Sequence, residues 1–261
     1  MKIRYLKALV ACWLLLTIFC SSINYVSAQS ETDTKKWEFL TDVYLLFPYM
    51  NGEIGIGNNI TVPVDASPGD IFSKLQMAGM LDFEARTDKW AITTDFVYMN
   101  LNQDITPGKI IVSGDVGAKQ LLWETAGLYR VTPFWEVGVG GRLNNISTEI
   151  DLVRKAVPND TKEFYSSGSK TWFDPILVTR LYTEIDNKWL FQFRGDLGGF
   201  GMGSDFTWQL QAYAGYRFNK VFHLSAGIRI LSIDYDKGAD SERFIYNVDT
   251  SGPVLKLGFN F

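Results

Sequence analysis

The sequence predicts an all-β fold, a transmembrane antiparallel up-and-down β-barrel of about ten strands. Three observations carry that expectation: side chains alternate apolar and polar with a period of two, short turns alternate with long polar connections, and aromatic residues recur at one end of the strands. Composition agrees with it. Of 261 residues, 46% are hydrophobic and 15% aromatic, yet the mean hydropathy is −0.02, too polar for a bundle of membrane helices. The 25 Lys and Arg stand against 29 Asp and Glu without a clustered basic footprint, so nucleic acid is not an expected partner.

In chain order, the first 28 residues read as a cleaved secretory signal and residues 29–261 as the barrel domain. Lys2, Arg4 and Lys7 precede an uncharged run from Ala8 to Cys20, and Val26, Ser27 and Ala28 lead to a cleavage site between Ala28 and Gln29. About 13 apolar residues fall short of the roughly 20 that span hydrocarbon as a helix. Leu9-Val10-Ala11-Cys12 looks like a lipoprotein cleavage box but sits too early, because cleavage there would strand a second apolar stretch on the product. Both cysteines precede Ala28, so disulfides, thiol catalysis and Cys-ligated zinc are not expected of the mature chain. No cofactor or metal is expected either. Loss of Lys2, Arg4 and Lys7 takes the formal net charge from −4 to −7.

Ten strands follow: Lys36 to Tyr49, Gln76 to Arg86, Trp90 to Leu101, Val116 to Arg130, Phe134 to Ile150, Thr171 to Ile185, Trp189 to Leu197, Phe206 to Phe218, Phe222 to Tyr235, and one ending at Phe261. The ninth is the plainest. Phe222, Leu224, Ala226, Ile228 and Ile230 share one face, and His223, Ser225, Gly227, Arg229 and Leu231 the other. Short turns fall at Thr87-Asp88-Lys89, Val131-Thr132-Pro133, Asp186-Asn187-Lys188 and Asn219-Lys220. The long connections run about Asn51 to Leu75, Asn102 to Asp115, Asp151 to Lys170, Gly198 to Asp205 and Asp236 to Gly252. Strand-like residues from Gly52 to Val64 would raise the count to 12 if they crossed the membrane with another segment, and 8 is the alternative below. In the first long loop, Ser67 as N-cap and Pro68 at N1 predict a short helix that would fold inward as a plug.

Trp37, Trp90, Trp135 and Trp189 each begin a strand on its apolar face, and Phe218, Phe222 and Phe261 join them at the same level as a membrane-interface girdle. Phe47, Tyr98, Trp172, Phe200 and Tyr235 are the candidates for the opposite rim. With the apolar face against lipid, the lumen receives Glu38, Asp42, Asp82, Glu84, Asp95, Glu124, Glu136, Arg142, Arg180, Glu184, Arg194, Asp196, Arg217, Arg229 and Lys256. Buried charges persist only when paired or hydrated, so the set implies either a salt-bridged filling or a wet channel.

Trp172-Phe173-Asp174-Pro175, the run from Gly195 to Asp205, Trp208-Gln209, Gly215-Tyr216-Arg217-Phe218 and terminal Phe261 together resemble an uncharacterised family of Gram-negative outer-membrane β-barrels. The likeness is dense from Trp172 to Phe261 and thinner before it. It implies the fold and an outer-membrane location, and no activity. Phe261, with Leu257 and Phe259 at alternating positions, also resembles the signal by which the barrel-assembly machinery recognises its precursors.

The expected function is a non-enzymatic outer-membrane barrel with a structural or passive-permeability role and a largely side-chain-filled, charged lumen, in contact with outer-membrane lipid. A narrow porin for small solutes or ions is the alternative, and a lipid-modifying enzyme the second. An enzyme built on a His dyad must use His223, the only histidine, which alternation turns into the lumen near the periplasmic end. Asp82 and Glu84 share a strand face and read as ion-pair partners rather than an acid/base pair. Gly198 to Gly203 lacks the Lys-Ser/Thr of a phosphate loop and reads as a tight outer turn. A soluble lipocalin-like barrel is the alternative at the level of fold.

Overall fold

The computed structural model describes residues 37–57, 60–104, 111–156 and 160–261, so the signal segment and its cleavage site at Ala28 and Gln29 lie outside the described residues. Among the described residues, twelve strands form one antiparallel sheet: β1 (Glu38–Leu46), β2 (Tyr49–Ile56), β3 (Ile60–Ala66), β4 (Leu75–Arg86), β5 (Trp90–Asp104), β6 (Ile111–Thr132), β7 (Trp135–Ala156), β8 (Asp160–Ile185), β9 (Trp189–Gly198), β10 (Phe206–Arg217), β11 (Phe222–Lys237) and β12 (Phe244–Asn260). Helix α1 (Pro68–Lys74) precedes β4, and a 3₁₀ turn at Asp240–Glu242 precedes β12.

Ten of these strands, β1 and β4 to β12, pair in sequence order and close when β1 meets β12. The closing seam sets Thr41 opposite Phe259 and Leu45 opposite Leu255. Beyond its end, the amides of Phe39 and Phe261 donate to each other's carbonyls at 3.1 and 3.0 Å, and their rings stack 6.1 Å apart. Closure leaves no unpaired strand edge in the band that faces hydrocarbon, the condition for a sheet to cross a membrane.

β2 and β3 are the two strands beyond the ten. The first expected strand ran unbroken from Lys36 to Tyr49, but Pro48 cannot donate to a ladder and the pairing stops at Leu46. The chain resumes as β2 on the outer half of β12, from Tyr49 opposite Ser251 to Ile56 opposite Phe244, and β3 folds back on β2. The strand-like residues Gly52 to Val64 therefore form a hairpin above the barrel wall and add no membrane crossing.

Several connections expected to be loops are strand. β6, β7 and β8 run to 22, 22 and 26 residues, about twice the 9–11 that cross a membrane, so much of Asp151 to Lys170 continues the β7–β8 ladder outside it. The alternation inverts there. In the membrane band, β11 and β12 point Leu224, Ile228, Leu255 and Leu257 outward and His223, Arg229 and Lys256 inward. Further out, Asp234, Asn247 and Asp249 are exposed, while Ile233, Tyr235, Tyr246 and Val248 are buried. The solvent changes from lipid to water along one strand, and the apolar face changes sides with it.

Parity also corrects two of the outer-rim candidates. Trp172 and Tyr235 are 6% and 4% exposed and lie inside, rings 4.3 Å apart, because they share faces with the lumenal Arg180 and Arg229. Phe200 is exposed on the rim, Phe47 packs on Phe72 at 5.3 Å, and Tyr98 is half-buried on the outward face. Helix α1 starts at Ser67 with a capping box and buries Ile71 against the barrel rim beside β5. The outer lumen it was expected to plug is instead filled by strand side chains, among them Leu46, Met99, Leu122, Ile233 and Tyr246.

Candidate functional site: the charged lumen

Alternation brings inward-facing charges from neighbouring strands to one height, and the register then decides the pairs. Glu124 on β6 stands opposite Asp95 on β5 and Arg142 on β7. Arg142 Nε and Nη2 donate to Glu124 Oε2 at 3.0 and 2.7 Å, Nη2 also reaches Asp196 Oδ1 at 2.7 Å, and Nη1 donates to Thr207 Oγ1 at 3.1 Å. Arg194 Nη2 closes on Glu124 Oε1. Gln209 extends the network, donating to Asp196 Oδ2 at 2.9 Å and accepting from Arg229 Nε at 2.8 Å. Arg229 reaches Asp95 at 2.7 Å and the Tyr44 hydroxyl at 2.8 Å, and that hydroxyl donates to Asp95 at 2.5 Å. Three carboxylates thus meet three guanidinium groups in a layer closed to solvent, with the cost of desolvating each charge offset by several directed bonds.

Nearer the periplasm are three further groups. Lys256 Nζ lies 2.6 Å from Asp82 Oδ2 and 3.4 Å from Asp42 Oδ2, with the Tyr213 ring 4.6 Å away, and His223 Nε2 lies 3.1 Å from Asp42 Oδ1. Gly258 faces both Asp42 and His223, and a Cβ there would collide with the imidazole and the carboxylate. Arg180 bridges Glu84, at 2.5 and 2.9 Å, and Glu136, at 2.7 Å, and Arg130 reaches Glu136 at 3.0 Å. At the mouth, Arg217 forks onto Glu184 at 2.7 and 2.8 Å, and Arg86 bonds Glu38, whose side chain is 62% exposed, at 3.1 Å. A polar cavity of about 60 Å³ lies among Asp42, Glu84, Arg180, Arg194, His223 and Lys256. That volume holds a few waters.

Arg86, Arg130 and Asp174 join the lumenal charges expected from the sequence, each sharing the parity of an expected neighbour, Glu84, Glu124 or Arg180. Neutral members such as Tyr44, Thr207 and Gln209 carry no charge to mark them in the sequence, and alternation alone is their signal. Asp174 centres a second cluster, nearer the outside. It accepts from the Ser204 amide at 2.6 Å, the Ser204 hydroxyl at 2.9 Å, Asn144 Nδ2 at 2.9 Å and the Trp172 indole at 3.1 Å. The Trp172-to-Pro175 motif and the glycine-rich run thereby prove to be two halves of one contact. No phosphate-loop geometry is present there: residues 199–205 are a turn between two strands.

The girdle residues Trp37, Trp90, Trp135, Trp189, Phe218 and Phe261 are exposed, and Phe222 is partly so. Trp90 packs edge-on against Tyr129 at 4.9 Å, Trp189 against Tyr216 at 5.1 Å, and Phe218 stacks on Phe222 at 5.4 Å. Above them Leu177, Leu181, Phe193, Ile228 and Leu255 continue an exposed apolar surface that water would not tolerate on a soluble barrel. A closed ten-strand barrel with an apolar band outside, an aromatic ring at its base and paired charges within defines an integral outer-membrane β-barrel.

No protein-family model and no curated relative matches the chain. Among solved structures it is similar to the outer-membrane protease OmpT from Escherichia coli, with 9% identity, TM-score 0.42, and 89% of this chain and 99% of that one covered. It is similar also to the translocator domain of the autotransporter NalP from Neisseria meningitidis (10%, 0.40, 98% and 98%) and to Ail, the attachment invasion locus protein of Yersinia pestis (8%, 0.35, 86% and 98%).

Proposed function

We propose that this chain is a non-enzymatic, non-conducting outer-membrane barrel with a structural role, carrying its β7–β8 and β2–β3 hairpins on the outer side. One observation carries this reading: each of the ten barrel strands turns a buried side chain into the lumen. They are Tyr44, Met80, Asp95, Glu124, Arg142, Ile176, Arg194, Gln209, Arg229 and Val254. A path wide enough for a hydrated ion would expose some of them to solvent, as it does in wider barrels. The alternating apolar end at Leu257, Phe259 and Phe261, closing on an aromatic residue, suits recognition by the barrel-assembly machinery. His223 is buried against Asp42 inside the wall, which supports a structural histidine over a lipid-modifying one.

Refolded protein in planar bilayers tests the reading. The expected record is free of discrete steps. Steps whose size changes on Arg194→Ala or Arg217→Ala would establish the narrow porin instead. A change in lipid A or phospholipid composition on overexpression that disappears with His223→Ala would establish the enzyme.

A further inference from the structure

The outer edge of the wall is uneven. β9 has ten residues, enough to cross the apolar band of about 25 Å and no more, so its connection to β10 lies at the outer boundary of that band. The adjoining β7–β8 hairpin continues well past that level. The short connection is a built structure. Gly199 and Gly201 take φ of +82° and +76°, and Phe200, which has a Cβ, is held at +50°. Much of its backbone is held by the protein: the Gly199 amide donates to Pro175 O at 3.1 Å, the Gly201 amide to Ser204 O at 3.0 Å, the Met202 amide to Gly199 O at 2.9 Å, and the Ser204 amide to Asp174. Each amide so paired lowers the cost of setting the loop at the hydrocarbon boundary.

What the loop presents outward is apolar. Phe200 and Met202 are 52% and 77% exposed, no charge lies between Gly198 and Ser204, and Leu197 and Phe206 continue the exposed apolar surface into the band below. We propose that residues 199–203 are a rigid membrane anchor, with Phe200 and Met202 set among the acyl chains of the outer leaflet. The occupant follows from continuity: the same surface, carried on by Leu197 and Phe206, is the lipid-facing wall. The buried Asp174 cluster serves to hold the two side chains out, since a flexible loop would fold them back onto the barrel.

The inference rests on the membrane reading, and one experiment separates the two. In the full chain with Cys12 and Cys20 replaced by Ser, single nitroxide labels go on Met202→Cys, Leu197→Cys and Ala239→Cys. The protein is refolded into phosphatidylcholine–phosphatidylglycerol vesicles, and collision with oxygen and with a water-soluble nickel chelate is measured. Leu197→Cys reports the wall and Ala239→Cys the exposed β11–β12 connection. The expected result is an oxygen-over-nickel preference at position 202 close to that at 197, with Phe200→Cys agreeing. A value at 202 nearer to that at 239 overturns the anchor and leaves the barrel in place. A nickel-accessible label at 197 overturns the membrane reading itself.

Discussion

Arg142 and Glu124 stand directly opposite each other on β7 and β6, their charged ends 2.7 Å apart and their side chains at 0% and 1% exposure. Neither charge has access to water, so each depends on the other and on Asp196, Arg194 and Gln209 around them. Removing one partner strands the rest, whereas removing the layer as a unit would not.

Arg142→Ala is therefore expected to destabilise the barrel by about 3–5 kcal/mol. Urea unfolding in lipid vesicles, followed by the gel shift between folded and unfolded forms, measures it. Arg142→Met with Glu124→Leu should recover part of the loss, while equal instability of the single and double variants would contradict the pairing.

Gly258 makes room for the His223–Asp42 pair. Gly258→Ala should cost about 1–3 kcal/mol through overpacking. In a His223→Ala background the same change should cost markedly less, because the ring it strikes is gone. Additive costs in the unfolding cycle would place the conflict elsewhere.

Asp174→Ala leaves the Ser204 backbone amide and the Asn144 side-chain amide without their acceptor, and a buried donor left unmade costs about 1–3 kcal/mol. The expected consequence is local. Residues 199–205 should become sensitive to protease added outside cells while the barrel still migrates as folded, and unchanged resistance would argue that the cluster holds nothing in place.

Helix α1 supplies a pH prediction outside the membrane. The Ser67 hydroxyl and amide both donate to Asp70 Oδ2, at 2.6 and 3.0 Å, and hold its carboxyl below the ordinary aspartate range. Because the folded value is the lower one, the capping contribution is complete above the unfolded value and is lost as pH falls through the folded one. Carbon-detected titration in micelles should show a depressed Asp70 midpoint that returns toward normal in Ser67→Ala.

The strand faces were legible in the residues themselves. Asp82 and Glu84 could be turned inward, and Trp90 and Trp189 placed on the outer face, because successive side chains of any strand alternate by local backbone geometry. The capped turn at Ser67 and Pro68 was legible for the same reason. The inverted alternation was equally present, in Asp234 and Tyr235 or Asn247 and Tyr246, but invisible without knowing where lipid ends, since an alternating pattern does not say which face meets which solvent.

Local pattern thus determined the barrel, a count of about ten crossings and the polarity of its lumen, and the closing of β1 on β12 settled the count at ten. Tertiary structure alone decided the partners. Arg229 finds Tyr44 across 185 residues and Arg180 finds Glu84 across 96, and Asp174 gathers two motifs from β8 and the β9–β10 turn. Such pairings depend on the stagger with which strands close and on distances across the lumen, quantities that arise only when the whole sheet curls and that no window of sequence contains.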